Sequence, residues 1–277
     1  MQPPEIFHRA ARRLRRDRIA SRFGEFDFLR RFMIEGLSER LDAVTREFAD
    51  VLDLGCFDAG LALPGTRIVR ADPGFAFARA AGGVQCDEDR LPFADGSFDL
   101  VVSAGTLDQV NDLPGALNLI RRVLRPDGLF LAAFTGGGTL STLRGTLMAA
   151  EQERPAARVH PQVNLQSAGD LLMRAGFALP VADSETLNVR YASFGRLIED
   201  LRGMAGTSLL VDRAPLSRTT LAEAAARFAE RADAGGRVSE QFEVIYLTGW
   251  APSPDQPKPA RRGSATVSLA EALRPKH

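Results

Sequence analysis

Residues 51–60 read VLDLGCFDAG: an apolar run through Leu54, a glycine at Gly55, and then Phe57 and Ala59 in the turn that follows. The run is short enough for a buried strand, and a glycine at its end lets the backbone turn sharply and approach a ligand closely. Working outward, TRIVRAD (66–72), GVQCD (83–87), SFDLVVSAG (97–105) and GLFLAAF (128–134) repeat the pattern, with the amphipathic LPGALNLIRRVLR (113–125) between the last two. Strands alternating with helical stretches predict βαβ units and a parallel sheet. Pro126, Asp127 and Gly128 form a turn signal that predicts a fifth strand starting near Leu129. Further helices and a final strand, QFEVIYLTGW (241–250), would lengthen the same sheet.

The chain of 277 residues, 45% hydrophobic and 25% charged, can bury the core of one large α/β domain. Residues 1–48 read as a helical N-terminal extension, 49–250 as the α/β domain, and 251–277, opening with a Pro-rich polar segment, as linker and tail. Two cysteines, Cys56 and Cys86, make neither a disulfide framework nor a zinc site, and no apolar segment has the length of a signal or a membrane span. The expectation is a cytoplasmic protein without membrane insertion. Its formal net charge of zero gives no global attraction for nucleic acid. The local cluster Arg9, Arg12, Arg13, Arg15, Arg16 and Arg18 reads as a solvated helix face.

In an open parallel sheet the ligand site lies at the carboxyl ends of the strands. Asp53 and Gly55 stand there after the first strand, and Asp72, 19 residues beyond Asp53, ends the second, where a carboxylate can accept from ribose hydroxyls. Asp87 or Glu88, after the third strand, would lie beside a purine ring. The turn does not match the G-x-G-x-x-G of NAD-binding domains. Three histidines, His8, His160 and His277, lie far apart in sequence, and no metal site is expected. Glu151 and Glu153 offer carboxylates to a basic substrate, with solvated helix-surface acids as the alternative. Cys56 reads as buried under the turn, and Trp250 as packing.

The Gly turn, the acids after strands two and three, and LPFADGSFDLVVS (91–103) together resemble the class I S-adenosylmethionine-dependent methyltransferases. IFHRAARRLRRDRIA, LPFADGSFDLVVSAGTLDQVNDLPGAL, LRPDGLFLAAFTGGGTLSTLR, AGDLLMRAGF, IEDLRGMAG and RRGSATVS are similar, across nearly the whole chain, to the respiratory complex I assembly factor family described as arginine hydroxylase. A second resemblance is to the malonyl-carrier-protein O-methyltransferases of biotin synthesis. The resemblance implies a Rossmann-like fold with a mostly parallel seven-stranded sheet, helices on both faces, and S-adenosylmethionine as cofactor. It also implies a protein substrate or a complex I subunit as partner. Non-enzymatic scaffolding and small-molecule or carrier-protein O-methylation stay open beside protein modification.

The sequence departs from the resembled pattern at three places. Phe57 and Ala59 stand where Asp-Leu-Gly-Cys-Gly-x-Gly would place its later glycines, adding bulk where the amino-acid end of the cofactor would lie. Asp108 and Gln109 replace His-Trp after strand four, and Gly138 replaces an acid. Asp108 and Gln109 are therefore pocket candidates, joined by His160, which lies where the resembled family often has a histidine in a substrate-covering segment and reads otherwise as a loop histidine. Asp53, Gly55, Phe57, Asp72, Asp87 and Glu88 are the cofactor-site candidates.

Overall fold

A computed structural model describes residues 5–151 and 156–256. Seven strands form one sheet in the order β3-β2-β1-β4-β5-β7-β6. They are β1 (Asp50–Leu54), β2 (Arg67–Asp72), β3 (Val84–Gln85), β4 (Phe98–Ala104), β5 (Leu124–Thr135), β6 (Ala178–Tyr191) and β7 (Val238–Trp250). The first five pair in parallel, and β7 runs antiparallel between β5 and β6. The chain thus builds outward from β1 through β2 to β3, then returns to place β4 on the other side. The carboxyl ends of β1 and β4 flank the point where the order reverses, and a crevice opens there.

The central strands are buried on both faces, which is why they read as near-continuous apolar runs. Leu52, Val101 and Phe130 face the layer made by α4 (Leu113–Val123) and α6 (Leu165–Arg174). Val51, Leu100, Val102 and Leu131 face α2 (Phe28–Asp42), α5 (Ser141–Ala150), α7 (Phe194–Gly203) and α8 (Arg218–Ala229). Local chemistry starts α4: the Asp112 carboxylate accepts from the Gly115 amide at 2.8 Å, with Pro114 in the first turn, where its missing N–H costs nothing.

Strand five begins earlier than Leu129. The ladder to β4 already holds at Phe98 opposite Leu124, breaks at a bulge, and resumes at Leu100 opposite Leu129. The turn signal is real but sits inside the strand as that bulge, with Asp127 at φ +61°.

The N-terminal segment carries α1 (Arg9–Ile19), a 3₁₀ turn (Ala20–Glu25) and α2, and α1 packs against α3 (Phe75–Ala80). Its start is fastened from two sides. Asn111 Oδ1 accepts from the amides of Ile6 and Phe7, each at 2.8 Å, and Phe7 bridges to Leu210. The arginine face of α1 is not solvated. Arg9, Arg12, Arg13 and Arg16 recur at i, i+3, i+4 and i+7, the spacing that apolar residues take on an ordinary amphipathic helix. Here that cationic face turns inward, with Arg12 and Arg16 buried, while Leu14 is exposed.

Candidate functional site

The turn after β1 keeps a left-handed path without the glycines that make such a path inexpensive. Gly55 has φ +78°, and a Cβ there would run into the Thr106 side chain. Phe57 has φ +46° and Ala59 φ +60°, a region that costs a residue with a Cβ roughly 1–2 kcal/mol. Phe57 is offset by burial: its ring stacks on Phe23 at 4.7 Å and meets Phe77 at 5.4 Å, edge to face. Cys56 is fully buried beneath the turn, and burial pushes its thiol up to about 12.

Asp72 ends β2 as expected, but every acceptor position it offers is in use. Its Oδ1 accepts from the Gly74 amide at 2.7 Å and from Arg16 Nε at 2.8 Å. Its Oδ2 accepts from the Phe57 amide at 2.9 Å and from Arg16 Nη2. Two carboxylate oxygens have about four lone-pair sites in total, so none is left for a ribose hydroxyl. The Arg16 guanidinium also lies 3.6 Å from the centre of the Phe57 ring, and both side chains are buried.

The acids after β3 also pair with α1, Glu88 and Asp89 through both oxygens and Asp87 through Oδ2. Arg12 forks onto Glu88 at 2.6 and 2.8 Å, a fully buried pair, and Arg12 also donates to the Thr106 carbonyl. Arg13 reaches Asp87 at 2.6 Å, and Arg9 forks onto Asp89 at 2.6 Å to each oxygen. From α2, buried Arg30 donates to the carbonyls of Gly55 at 3.0 Å, Cys56 at 2.9 Å and Ala104 at 2.7 Å, capping the ends of β1 and β4. Asp53 lies behind, 3.7 Å from Arg30, with neither oxygen hydrogen-bonded, and burial pushes it up to about 6. With α1 docked, these residues do not fit the nucleoside end of S-adenosylmethionine.

A cavity of about 220 Å³ opens beside the turn after β1, bordered by Phe57, Gly105 and Arg30. Its walls are mostly apolar: Phe26, Leu29, Met33, Leu140, Leu143, Leu147 and Phe242. Asp108, Gln109 and His160 all line it, so the structure brings the three pocket candidates together. Asp108 Oδ2 accepts from Thr135 Oγ1 at 2.5 Å, whereas its Oδ1 is buried and has no partner. Burial raises its pKa, and the Thr135 hydroxyl only partly offsets this. His160 Nε2 accepts from the Leu209 amide at 2.6 Å, and burial pushes the ring down to about 4, which keeps it neutral. Gln109 lines the cavity beside them.

Gly138, the third departure, donates its amide to Glu243 Oε2 at 2.6 Å, so β7 supplies a carboxylate at that loop. Glu151 is paired with Arg158, which also lines the cavity, and is spent on the protein itself. Glu153, His277 and the RRGSATVS tail lie outside the described residues. Trp250 packs partly buried on the core, as read from the sequence. Among the described residues no group of three or more His, Cys, Asp or Glu is placed to hold a metal ion. None of their helices is long and apolar enough to cross a membrane. Sequence reading missed Arg12, Arg16 and Arg30. The i, i+3, i+4, i+7 arginine spacing facing an Asp-Glu-Asp run at 87–89 was the available signal.

Comparison with known proteins places this geometry. The family described as "Methyltransferase domain" matches residues 52–132. Among solved structures, the YcgJ protein of Bacillus subtilis superposes with a TM-score of 0.55 at 16% identity, covering 79% of this chain and 99% of that one. The likeness establishes the fold. The arginine-hydroxylase NDUFAF5, mitochondrial, of Danio rerio is 35% identical over 98% of this chain and 90% of that protein. Its Homo sapiens counterpart is 36% identical over 89% and 76%. A malonyl-acyl-carrier-protein O-methyltransferase of Halorhodospira halophila is 33% identical over 84% and 85%. The chain belongs to the family of the arginine-hydroxylases NDUFAF5, built on the class I S-adenosylmethionine-dependent methyltransferase fold.

Proposed function

We propose that this protein receives an arginine side chain of a protein partner in the cavity beside Phe57, with Asp108 as the counter-ion. The observation that carries the reading is Asp108, whose side chain lines a mostly apolar cavity with its Oδ1 buried and unpaired with any other side chain. An unpaired buried carboxylate oxygen is costly, and a guanidinium satisfies it while its aliphatic stem lies against Leu29, Met33 and Leu143. The relatives are named arginine-hydroxylases, which supports the same substrate class. The resemblance to complex I assembly factors implies that the partner is a subunit of that complex. Two free buried thiols are in keeping with a reducing compartment such as the cytoplasm.

The chain's residues bind, orient and keep water away: the apolar wall dries the stem, Asp108 fixes the head, and Thr135 fixes Asp108. The test is calorimetric titration with a short arginine-containing peptide and its citrulline counterpart, which keeps shape and loses charge. The wild type should bind the arginine peptide at least tenfold more tightly, and Asp108→Asn should remove the preference. Equal affinity for both peptides would refute the assignment.

A further inference from the structure

The acids that would hold the nucleoside of a cofactor are neither free nor solvated, because α1 holds them. Arg16 takes the remaining acceptor positions of Asp72, and Arg12 takes both oxygens of Glu88. Arg9 and Arg13 cover Asp87 and Asp89 at the rim. Each is a charge-assisted contact, and the inner two are buried, where a lost partner is expensive. Phe57 makes the seat: its ring gives the Arg16 guanidinium a face at 3.6 Å, and its amide fills another site on Asp72. Arg15, on the same helix, donates to the carbonyls of Thr207 at 2.7 Å and Ser208 at 2.6 Å, two residues that line the cavity. One helix therefore touches both the nucleoside crevice and the cavity rim.

We infer that α1 is an internal occupant of the nucleoside crevice: it competes with any adenosyl cofactor for Asp72 and Glu88, so cofactor binding and release of α1 are one linked event. A ligand shifts such an equilibrium only through its different affinity for the two states, so a docked helix lowers apparent affinity by the fraction of molecules in which it is released. Release of α1 also withdraws Arg15 from the cavity rim, coupling the crevice to the cavity. The inference stands on the ion pairs of α1 and does not depend on an arginine peptide binding at Asp108.

The test is titration of the full chain with S-adenosylhomocysteine, using wild type and Arg16→Ala, beside amide hydrogen exchange of the wild type with and without that ligand. Arg16→Ala should bind at least tenfold more tightly than wild type. In the wild type, saturating ligand should speed exchange of residues 9–19 at least fivefold. The exchange arm stands even if Arg16→Ala does not fold. Equal affinities, no binding by either protein, or ligand saturation with residues 9–19 still protected overturns the inference.

Discussion

Ala59 is a clean test of the altered turn. It holds φ +60° on a partly exposed site with no aromatic contact in return, so a residue without a Cβ should relax it. Ala59→Gly is expected to stabilise the protein by about 1 kcal/mol in denaturant unfolding, against the usual direction for that exchange. His160 gives the pH dependence. Its folded value of about 4 lies below the ordinary 6.5, so its contribution is fully present above pH 6.5 and is lost as pH falls toward 4. The shift corresponds to about 3 kcal/mol. Asp53 runs the other way, since a carboxyl raised to about 6 gives stability at low pH that is lost as pH rises through that value. Subtraction isolates the histidine: the stability of wild type minus that of His160→Gln should fall between pH 6.5 and 4, and a flat difference would contradict the assignment.

At the scale of elements, α1 is a helix whose buried face is cationic. Most of its fastening energy lies in the inner pairs, because exposed ion pairs contribute little. Arg12→Met leaves Glu88 charged and buried and should cost about 3–5 kcal/mol, while Arg12→Met with Glu88→Leu should recover most of that. Unfolding midpoints of the two variants check it. The strands and the Gly55 turn were legible because a two-sided core demands unbroken apolar runs, as in Leu129 to Phe134. The docking of α1 was not, since hydrophobic periodicity carries no signal when arginines occupy the core-facing positions. The same run of arginines fits solvent equally well until the acids of β2 and β3 are known to lie opposite. The early start of β5 was hidden for a related reason: Pro126 to Gly128 signals a turn and does not say whether the ladder survives it.

At the scale of the molecule, two neighbouring sites share one helix. The crevice at the switch point belongs to the methyltransferase fold, and the cavity that opens on it beside Phe57 and Gly105 holds Asp108. That Asp53, Gly55, Asp72, Asp87 and Glu88 stand at or just after the ends of β1, β2 and β3 could be read from the strand pattern, whereas the burial of Asp53 behind Arg30 could not. The partners of Asp72 and Glu88, Arg16 and Arg12, lie 56 and 76 residues earlier in the chain, distances that local spacing does not bridge. The central claim is that Arg16 occupies Asp72 inside the folded protein, and nitrogen-15 NMR of the arginine Nε–H groups tests it most directly. Arg16 Nε, assigned by its loss in Arg16→Ala, should give a slowly exchanging signal in the ligand-free protein and should exchange freely once S-adenosylhomocysteine is added. An Arg16 Nε that already exchanges with water like a surface arginine in the ligand-free protein would contradict the account.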